Sequence, residues 1–312
     1  MMDVIGPAPG TVSETQIQIP IPNTDWTSRA VVCRPASANQ GPLIVLYHGG
    51  GFAMSHPEGM LPYARGFAQL FNAVVVCPSF HLAPEHSFPI GVNDAYDILK
   101  WCAQNAKFLN ADVTQGFLVG GNSAGANFAA VLARRSVEDG LEPALTGQWL
   151  GFPALGHHDL AKDGVKGLVQ AAKKYEDIWG LSWVQNKDAA LINDKAVSAL
   201  YSLYKPDYTS PLYNPLAANP QFDVGRLPKA FVQVAGMDIM RDDGIVYAYA
   251  LEDAGVSVTL LAYPGTPHTF PDMYPTLEVS RKALVDNAKG IAWLLGVGVE
   301  EVRARKAMLR KT

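Results

Sequence analysis

The chain has 312 residues, of which 48% are hydrophobic and 17% charged, and its formal net charge is −4. This length and apolar content predict a compact globular protein with a sizeable core, in one large domain or two smaller ones, and exclude a disordered chain. The slightly negative charge and the lack of a central basic block argue against nucleic acid as the partner.

The three cysteines, Cys33, Cys77 and Cys102, lie within or beside apolar runs at wide spacing. Their odd number and their spacing favour buried free thiols over a disulfide framework or a zinc site. The N-terminal residues lack the basic and apolar regions of a signal peptide, and no apolar run reaches about 18 residues. We therefore expect a soluble, cytoplasmic protein without a membrane span.

The first half of the chain alternates predicted strands and helices. After a loose tail at residues 1–11, β-like runs at 16–21 and 29–34 predict an antiparallel hairpin at a sheet edge. Three buried strands follow, each with a helix after it. The strands are predicted at 42–47, at 73–77 and from Phe117, and the helices at 60–71, at 94–106 and up to about Gly140.

The second half interrupts this alternation once. After a short strand at 148–152, residues 157–208 carry helix-like patterns at 165–179 and 189–204 and are rich in Tyr and Trp. We predict an α/β core, residues 1–156 and 209–312, with a mostly parallel sheet between two layers of helices, and a helical cap, 157–208, over the strand ends where ligands bind. In the core the alternation resumes with strands at 230–234 and 256–262 and helices at 243–254 and 276–295.

The junction between the Phe117 strand and its helix reads Gly121-Asn-Ser123-Ala-Gly125, which fits the Gly-x-Ser-x-Gly pattern of a nucleophile elbow. A serine on such a sharp turn has a strained backbone, and side chains two residues away on either side would collide with their surroundings. The alternative is a glycine-rich turn that only packs a helix on a strand. Because the motif follows an apolar run and opens a helix pattern, we predict that Ser123 is a catalytic nucleophile.

A serine hydroxyl needs a base, and the base needs an acid that orients it, in the chain order Ser, acid, His for this arrangement. The histidines at 157–158 leave no later strand for the acid, whereas His268 lies in the loop after the last predicted strand. The loop after the preceding strand should carry the acid, and Asp238 comes first in it. Asp242 is the reserve, although a carboxylate there is also typical of a helix start.

Acyl transfer also requires hydrogen-bond donors for an oxyanion. One expected donor is the backbone N–H of Ala124, directly after the nucleophile. Further donors must come from backbone that lies close to the substrate, and residues 48–51, His-Gly-Gly-Gly, end the predicted strand at 42–47. A flexible glycine turn is the alternative interpretation of this tetrapeptide.

Together, the His-Gly-Gly-Gly and Gly-x-Ser-Ala-Gly motifs, Asp238 and His268 resemble the hormone-sensitive-lipase-like carboxylesterases of the α/β-hydrolase fold. Residues 80–89, Phe-His-Leu-Ala-Pro-Glu-His-Ser-Phe-Pro, also resemble that family's Tyr-Arg-Leu-Ala-Pro-Glu-x-x-Phe-Pro. The resemblance runs from about residue 42 to 155 and from 209 to 296 and does not cover the cap, and it implies oxyanion donors at Gly50, Gly51 and Ala124.

The sequence departs from the family pattern at several positions. Asn122 stands where the family often has Asp, Ala126 where Gly is common, and Thr269 follows the histidine where a small residue is usual. Phe-His at 80–81 replaces Tyr-Arg. The arm before the His-Gly-Gly-Gly motif is short, so the part of the cap that N-terminal helices usually build is expected to be reduced.

We predict a serine esterase that hydrolyses short- to medium-chain or apolar carboxylic esters through an acyl-enzyme, without a cofactor or a metal. A biosynthetic lyase or acyltransferase, an amidase and a non-catalytic small-molecule receptor are the alternatives on the same scaffold. The expected partner is a small-molecule ester, with no nucleic acid and no membrane span, and a homodimer is left open.

The aromatic residues of the predicted cap suggest an apolar substrate pocket. The alternative is that these aromatics only pack the cap on the core. The predicted pocket residues are Phe52 and Asn122, which adjoin the two glycine motifs, and Trp179, Trp183, Tyr201 and Tyr204 of the cap.

Overall fold

The computed structural model describes residues 10–36, 40–156, 170–175, 177–219 and 221–309. Nearly all of the predicted tail at 1–11 and the histidines at 157–158 lie outside these ranges. The strands are β1 (Val12–Pro20), β2 (Thr27–Pro35), β3 (Leu43–Tyr47), β4 (Val74–Pro78), β5 (Phe117–Asn122), β6 (Gly147–Gly151), β7 (Ala230–Ala235) and β8 (Val258–Tyr263).

These strands form one eight-stranded sheet in the order β1-β2-β4-β3-β5-β6-β7-β8. The pairs from β4 to β8 are all parallel, whereas β2 pairs antiparallel with both β1 and β4. The predicted hairpin at one edge and the predicted, mostly parallel sheet are therefore confirmed.

Helices cover both faces of the sheet. Alternate strand residues point to opposite sides, and because buried strands such as β3 are apolar throughout, both faces must be packed against other elements. Leu43, Val45 and Tyr47 of β3 pack in one apolar cluster, and Ile44 and Leu46 pack in the other. The helices are α1 (Leu61–Phe71), α2 (Ile90–Gln104), α3 (Ala106–Leu109), α4 (Ala124–Glu138), α5 (Gln170–Lys173), α6 (Leu181–Gln185), α7 (Asp194–Tyr204), α8 (Arg241–Asp253), α9 (Phe270–Met273), α10 (Glu278–Leu295) and α11 (Glu301–Met308).

Each face has its own set of long helices. Helices α2, α4 and α8 contribute to the cluster that contains Val45, and α1, α10 and α11 contribute to the cluster that contains Ile44. All three cysteines are buried free thiols, as predicted. Among the described helices, none is both long enough and apolar enough to cross a membrane.

In the described part of the segment between β6 and β7, the helices are shorter than the sequence predicted. Only Gln170–Lys173 of the described part of the 165–179 pattern is helical, and Gly180, at φ 100°, separates it from α6. The second pattern was predicted from residue 189, but α7 begins at Asp194. The reason is the side chain of Asn193, which caps the helix by accepting a hydrogen bond from the Ala196 N–H at 3.0 Å.

Candidate active site

Ser123 occupies the sharp turn between β5 and α4. Its backbone has φ 55° and ψ −120°, a strained conformation for a residue with a side chain. The two flanking glycines are required by close approach of the backbone, since a Cβ on either Gly121 or Gly125 would overlap the carbonyl oxygen of Tyr47. The strand-turn-helix context that the motif predicted is therefore present.

His268 and Asp238 lie in line behind this serine. The Nε2 atom of His268 is 2.8 Å from Ser123 Oγ, and its Nδ1 atom is 2.6 Å from Asp238 Oδ2. The other carboxylate oxygen of Asp238 accepts the N–H of Met240 at 2.9 Å. Because an ionised carboxylate can only accept, Nδ1 carries the proton and Nε2 is left to accept one from the serine hydroxyl.

The reserve acid, Asp242, points elsewhere, as does its neighbour Asp243. Asp242 accepts the Ser182 N–H at 2.5 Å, and Asp243 accepts the N–H groups of Leu155 and Gly156 and the indole N–H of Trp179, each at 2.8–2.9 Å. Burial raises the pKa of the Asp243 carboxyl to about 7. These two carboxylates at the start of α8 therefore attach the segment between β6 and β7 to the core. The sequence did not reveal this role.

The three expected oxyanion donors lie around the serine. Gly50 and Gly51 follow β3 with φ of 112° and 60°, conformations that glycine adopts readily. Among the backbone hydrogen bonds of the described residues, none uses the N–H of Gly50 or Gly51. Ala124 is the first residue of α4, so its N–H has no acceptor within the helix.

Ser123 and His268 open into a cavity of about 720 Å³, which Gly50, Gly51 and Ala124 also line. The cavity wall is mostly apolar. It is lined by residues of the segment between β6 and β7 and by residues in or next to α1, α10 and α11. The first group includes Leu191, Ile192, Val197 and Leu200, and the second includes Met60, Leu284, Met308 and Leu309.

Three of the six predicted pocket residues line this cavity: Phe52, Asn122 and Tyr201. Trp179, Trp183 and Tyr204 do not, and the expectation for them is corrected. Each has at most 5% of its surface exposed and belongs to the apolar cluster that contains Val45. The indole N–H of Trp179 is taken by Asp243, and the ring of Tyr204 is stacked on the ring of Phe52.

Asn122, one of the departures from the family pattern, is hydrogen-bonded to α9, the short helix that follows His268. Its amide Nδ2 donates to Asp272 Oδ2 at 3.0 Å, and the hydroxyl of Tyr63 donates to Asp272 Oδ1 at 2.6 Å. Asp272 therefore connects the serine turn, the histidine loop and α1. Sequence reasoning missed Asp272, because nothing in its local pattern signals a partner 150 residues earlier in the chain.

The described part of the chain contains no group of three or more His, Cys, Asp or Glu side chains arranged to hold a metal ion. Another departure from the family pattern, His81, is hydrogen-bonded to Asp94. Its Nδ1 atom lies 2.8 Å from Asp94 Oδ2, and its backbone N–H donates to the same oxygen at 2.9 Å.

Comparison with known proteins places this geometry in a family. The profile of the α/β hydrolase fold family matches residues 44–272. An AB hydrolase superfamily protein of Schizosaccharomyces pombe is 34% identical over 299 residues, which are 95% of this chain and 84% of the yeast protein. Carboxylesterase NlhH of Mycobacterium tuberculosis is 32% identical over 83% of this chain and 75% of its own length.

Among solved structures, vibralactone cyclase is similar with a TM-score of 0.82 and 28% identity, over 93% of this chain and 82% of the cyclase. The profile match covers more than half of the chain, and both relatives are more than 30% identical to it over at least 83% of its length. The chain belongs to the α/β-hydrolase fold family and, within it, to the hormone-sensitive-lipase-like carboxylesterases.

Proposed function

We propose that the protein hydrolyses short- to medium-chain or apolar carboxylic esters through a covalent acyl-enzyme on Ser123. The observation that carries this proposal is the continuous hydrogen-bonded line from Ser123 Oγ through His268 to Asp238, with distances of 2.8 and 2.6 Å, at the wall of a largely apolar cavity. The likeness to carboxylesterase NlhH supports ester hydrolysis as the reaction.

In the first half of the cycle, His268 Nε2 takes the hydroxyl proton of Ser123 while the oxygen attacks the ester carbonyl. Asp238 holds the imidazole with Nδ1–H towards the carboxylate and stabilises the positive charge that forms on the ring. The N–H groups of Gly50, Gly51 and Ala124 donate to the oxyanion, and the positive end of the α4 dipole adds to this stabilisation.

In the second half, the imidazolium donates its proton to the departing alkoxide, so the alcohol leaves and the acyl group stays on Ser123. Water then enters, gives a proton to His268 and attacks the acyl carbonyl through a second oxyanion. The proton returns to Ser123 Oγ as the carboxylic acid leaves. No step needs a group beyond these residues and water.

The cavity wall supports an apolar substrate. Leu, Ile, Val and Met side chains line the same cavity as Ser123, and burial of each additional CH₂ of an acyl or alkyl chain is worth up to about 0.8 kcal/mol. We further propose that residues 157–208 act as a cap on this pocket, since Val197, Leu200 and Tyr201 of α7 lie in its wall.

The test is a series of p-nitrophenyl esters of increasing acyl length, measured with the wild-type protein and with Ser123→Ala. We expect a defined chain-length optimum in the wild type and a loss of at least about 10⁴-fold in kcat for the variant, at unchanged Tm. Full hydrolysis by folded Ser123→Ala would refute the proposal.

The likeness to a cyclase favours a second candidate, in which the acyl group on Ser123 is attacked by a nucleophile other than water. The same residues would serve, because only the second attacking group differs. Hydrolysis in ¹⁸O-labelled water decides between the two candidates for each ester: label in the released acid indicates hydrolysis, and an unlabelled ring or transfer product indicates the alternative.

A further inference from the structure

The loop that carries two of the proposed oxyanion donors, residues 48–55, has an unusual backbone. Phe52 and Ser55 have φ of 64° and 85°, in addition to the positive φ of Gly50 and Gly51. Residues with side chains seldom adopt positive φ, and they keep it only where their surroundings hold them there. Contacts from outside the loop are therefore needed to maintain its shape.

Helix α7 supplies the main contact. The rings of Phe52 and Tyr204 are stacked, with centroids 4.0 Å apart and planes inclined by 7°. Both residues are only 2% exposed, and the ring of the buried Phe128 also packs on Phe52, with ring centroids 5.5 Å apart. The Phe52 side chain is thus fixed between the end of α7 and the interior of the core.

Two backbone hydrogen bonds hold the partners of this stack. The carbonyl oxygen of Tyr204 accepts the N–H of Phe88 at 2.8 Å, and the carbonyl oxygen of Phe52 accepts the N–H of Ala83 at 2.9 Å. Both donors belong to the segment at 80–89 that resembles a family motif. The segment at 80–89 is therefore hydrogen-bonded both to the end of α7 and to the loop at 48–55.

The same face of α7 also contacts a donor residue. Leu200 lies one turn before Tyr204, and a Cβ placed on Gly51 would be 2.5 Å from Leu200 Cδ1. The Leu200 side chain thus rests directly on the backbone of Gly51. A shift of α7 away from the loop would release both Gly51 and Phe52.

Of the Tyr204 side chain, only the ring takes part in these contacts. Its hydroxyl is buried and has no hydrogen-bond partner, and the residue does not line the cavity. An unpaired buried hydroxyl destabilises the fold, which leaves the flat ring as the useful part of the side chain.

We propose that Tyr204 is a positioning residue for the oxyanion hole. Its ring, stacked on Phe52, keeps the N–H groups of Gly50 and Gly51 directed at the carbonyl oxygen of the ester bound at Ser123. This inference rests on the proposed function, because it gives Tyr204 a role only if an oxyanion forms at that place.

The test compares Tyr204→Leu with Tyr204→Phe, which keeps the ring and removes only the unpaired hydroxyl. For Tyr204→Leu we expect kcat to fall by about 10- to 100-fold, less than the roughly 10²- to 10³-fold cost of deleting a whole donor, with KM within about threefold. Tyr204→Phe should stay within about twofold of wild type. The acyl-length optimum should be the same in all three proteins.

Inhibitor affinities separate this role from a structural one. A trifluoromethyl ketone forms an oxyanion with the serine, whereas the methyl ketone of the same chain binds as a neutral carbonyl. Tyr204→Leu should lose affinity for the first by the same factor as kcat/KM and keep its affinity for the second. If Tyr204→Leu does not accumulate in folded form, Tyr204→Met, of similar volume, carries the same prediction.

The outcomes are distinct. Wild-type kcat and trifluoromethyl ketone affinity in folded Tyr204→Leu, or a shifted acyl-length optimum, would overturn the positioning role while Ser123→Ala remains inactive. Activity in Ser123→Ala would instead refute the proposed function itself.

Discussion

Gly125 offers a direct test of how tightly the serine turn is packed on β3. A methyl group at this position would overlap the carbonyl oxygen of Tyr47 and lie 2.8 Å from the carbonyl oxygen of His48. Both obstacles are backbone atoms, so no side-chain rotation relieves the contact. The turn must move away from the strand end that carries Gly50 and Gly51.

Gly125→Ala should therefore reduce both stability and catalysis. Overpacking of a core costs about 1–3 kcal/mol, and a rigid backbone contact belongs at the upper end, which in a chain of 312 residues corresponds to a fall of Tm by roughly 4–5 °C. A displacement of about 1 Å between the nucleophile and the oxyanion donors should lower kcat by about 10²-fold.

Gly298→Ala is the matched control, because a Cβ there meets nothing within 4 Å. It should leave kcat unchanged and Tm within about 2 °C. The measurements are thermal unfolding and steady-state hydrolysis of one p-nitrophenyl ester. Wild-type Tm and kcat in Gly125→Ala would refute the packing argument.

Three further predictions concern groups around the site. First, burial raises the pKa of Asp243 from near 4 in the unfolded chain to about 7 in the folded protein. Between these pH values the folded protein therefore binds a proton at Asp243 that the unfolded chain has lost. The stability of the wild type relative to Asp243→Asn should therefore fall as pH rises from about 4 to above 7, and a constant difference in denaturant titrations would contradict this. Second, kcat/KM should be lost on the acid side, since His268 must be neutral to accept the serine proton; a flat profile from pH 5 to 8, with chemistry rate-limiting, would count against it. Third, Asp272→Asn and Asn122→Asp should each slow the labelling of Ser123 by a phosphonate. The double exchange should restore part of the rate, because it re-forms an amide–carboxylate pair. If the rate does not recover, this hydrogen bond does not hold the end of β5 and α9 together.

Much of the fold could be predicted from the sequence, because its signals are local. Buried strands such as β3 and β5 appear as continuous apolar runs, and the turn at Ser123 is recognisable by the glycines that its backbone requires. The same locality explains why Ser123, Asp238 and His268 could be selected: chain order and position after successive strands place them at one sheet edge.

The features that were missed depend on contacts between distant parts of the chain. Asp243 has the local pattern of a helix start, and only the structure shows Leu155, Gly156 and Trp179 donating to it. Likewise, the aromatic residues of the segment between β6 and β7 suggested a substrate pocket, but composition could not show which of them line it. Tyr201 lines the cavity, whereas Tyr204, three residues later, stacks on Phe52.

The most direct measurement is the site of covalent modification by an ester-like phosphonate, such as a p-nitrophenyl alkylphosphonate, read by mass spectrometry of peptides. The account predicts one adduct, on Ser123, formed in proportion to the loss of hydrolysis, and none in Ser123→Ala or at an appreciable rate in His268→Ala. An adduct on another residue, with hydrolysis retained in Ser123→Ala, would contradict the assignment of Ser123 as the nucleophile.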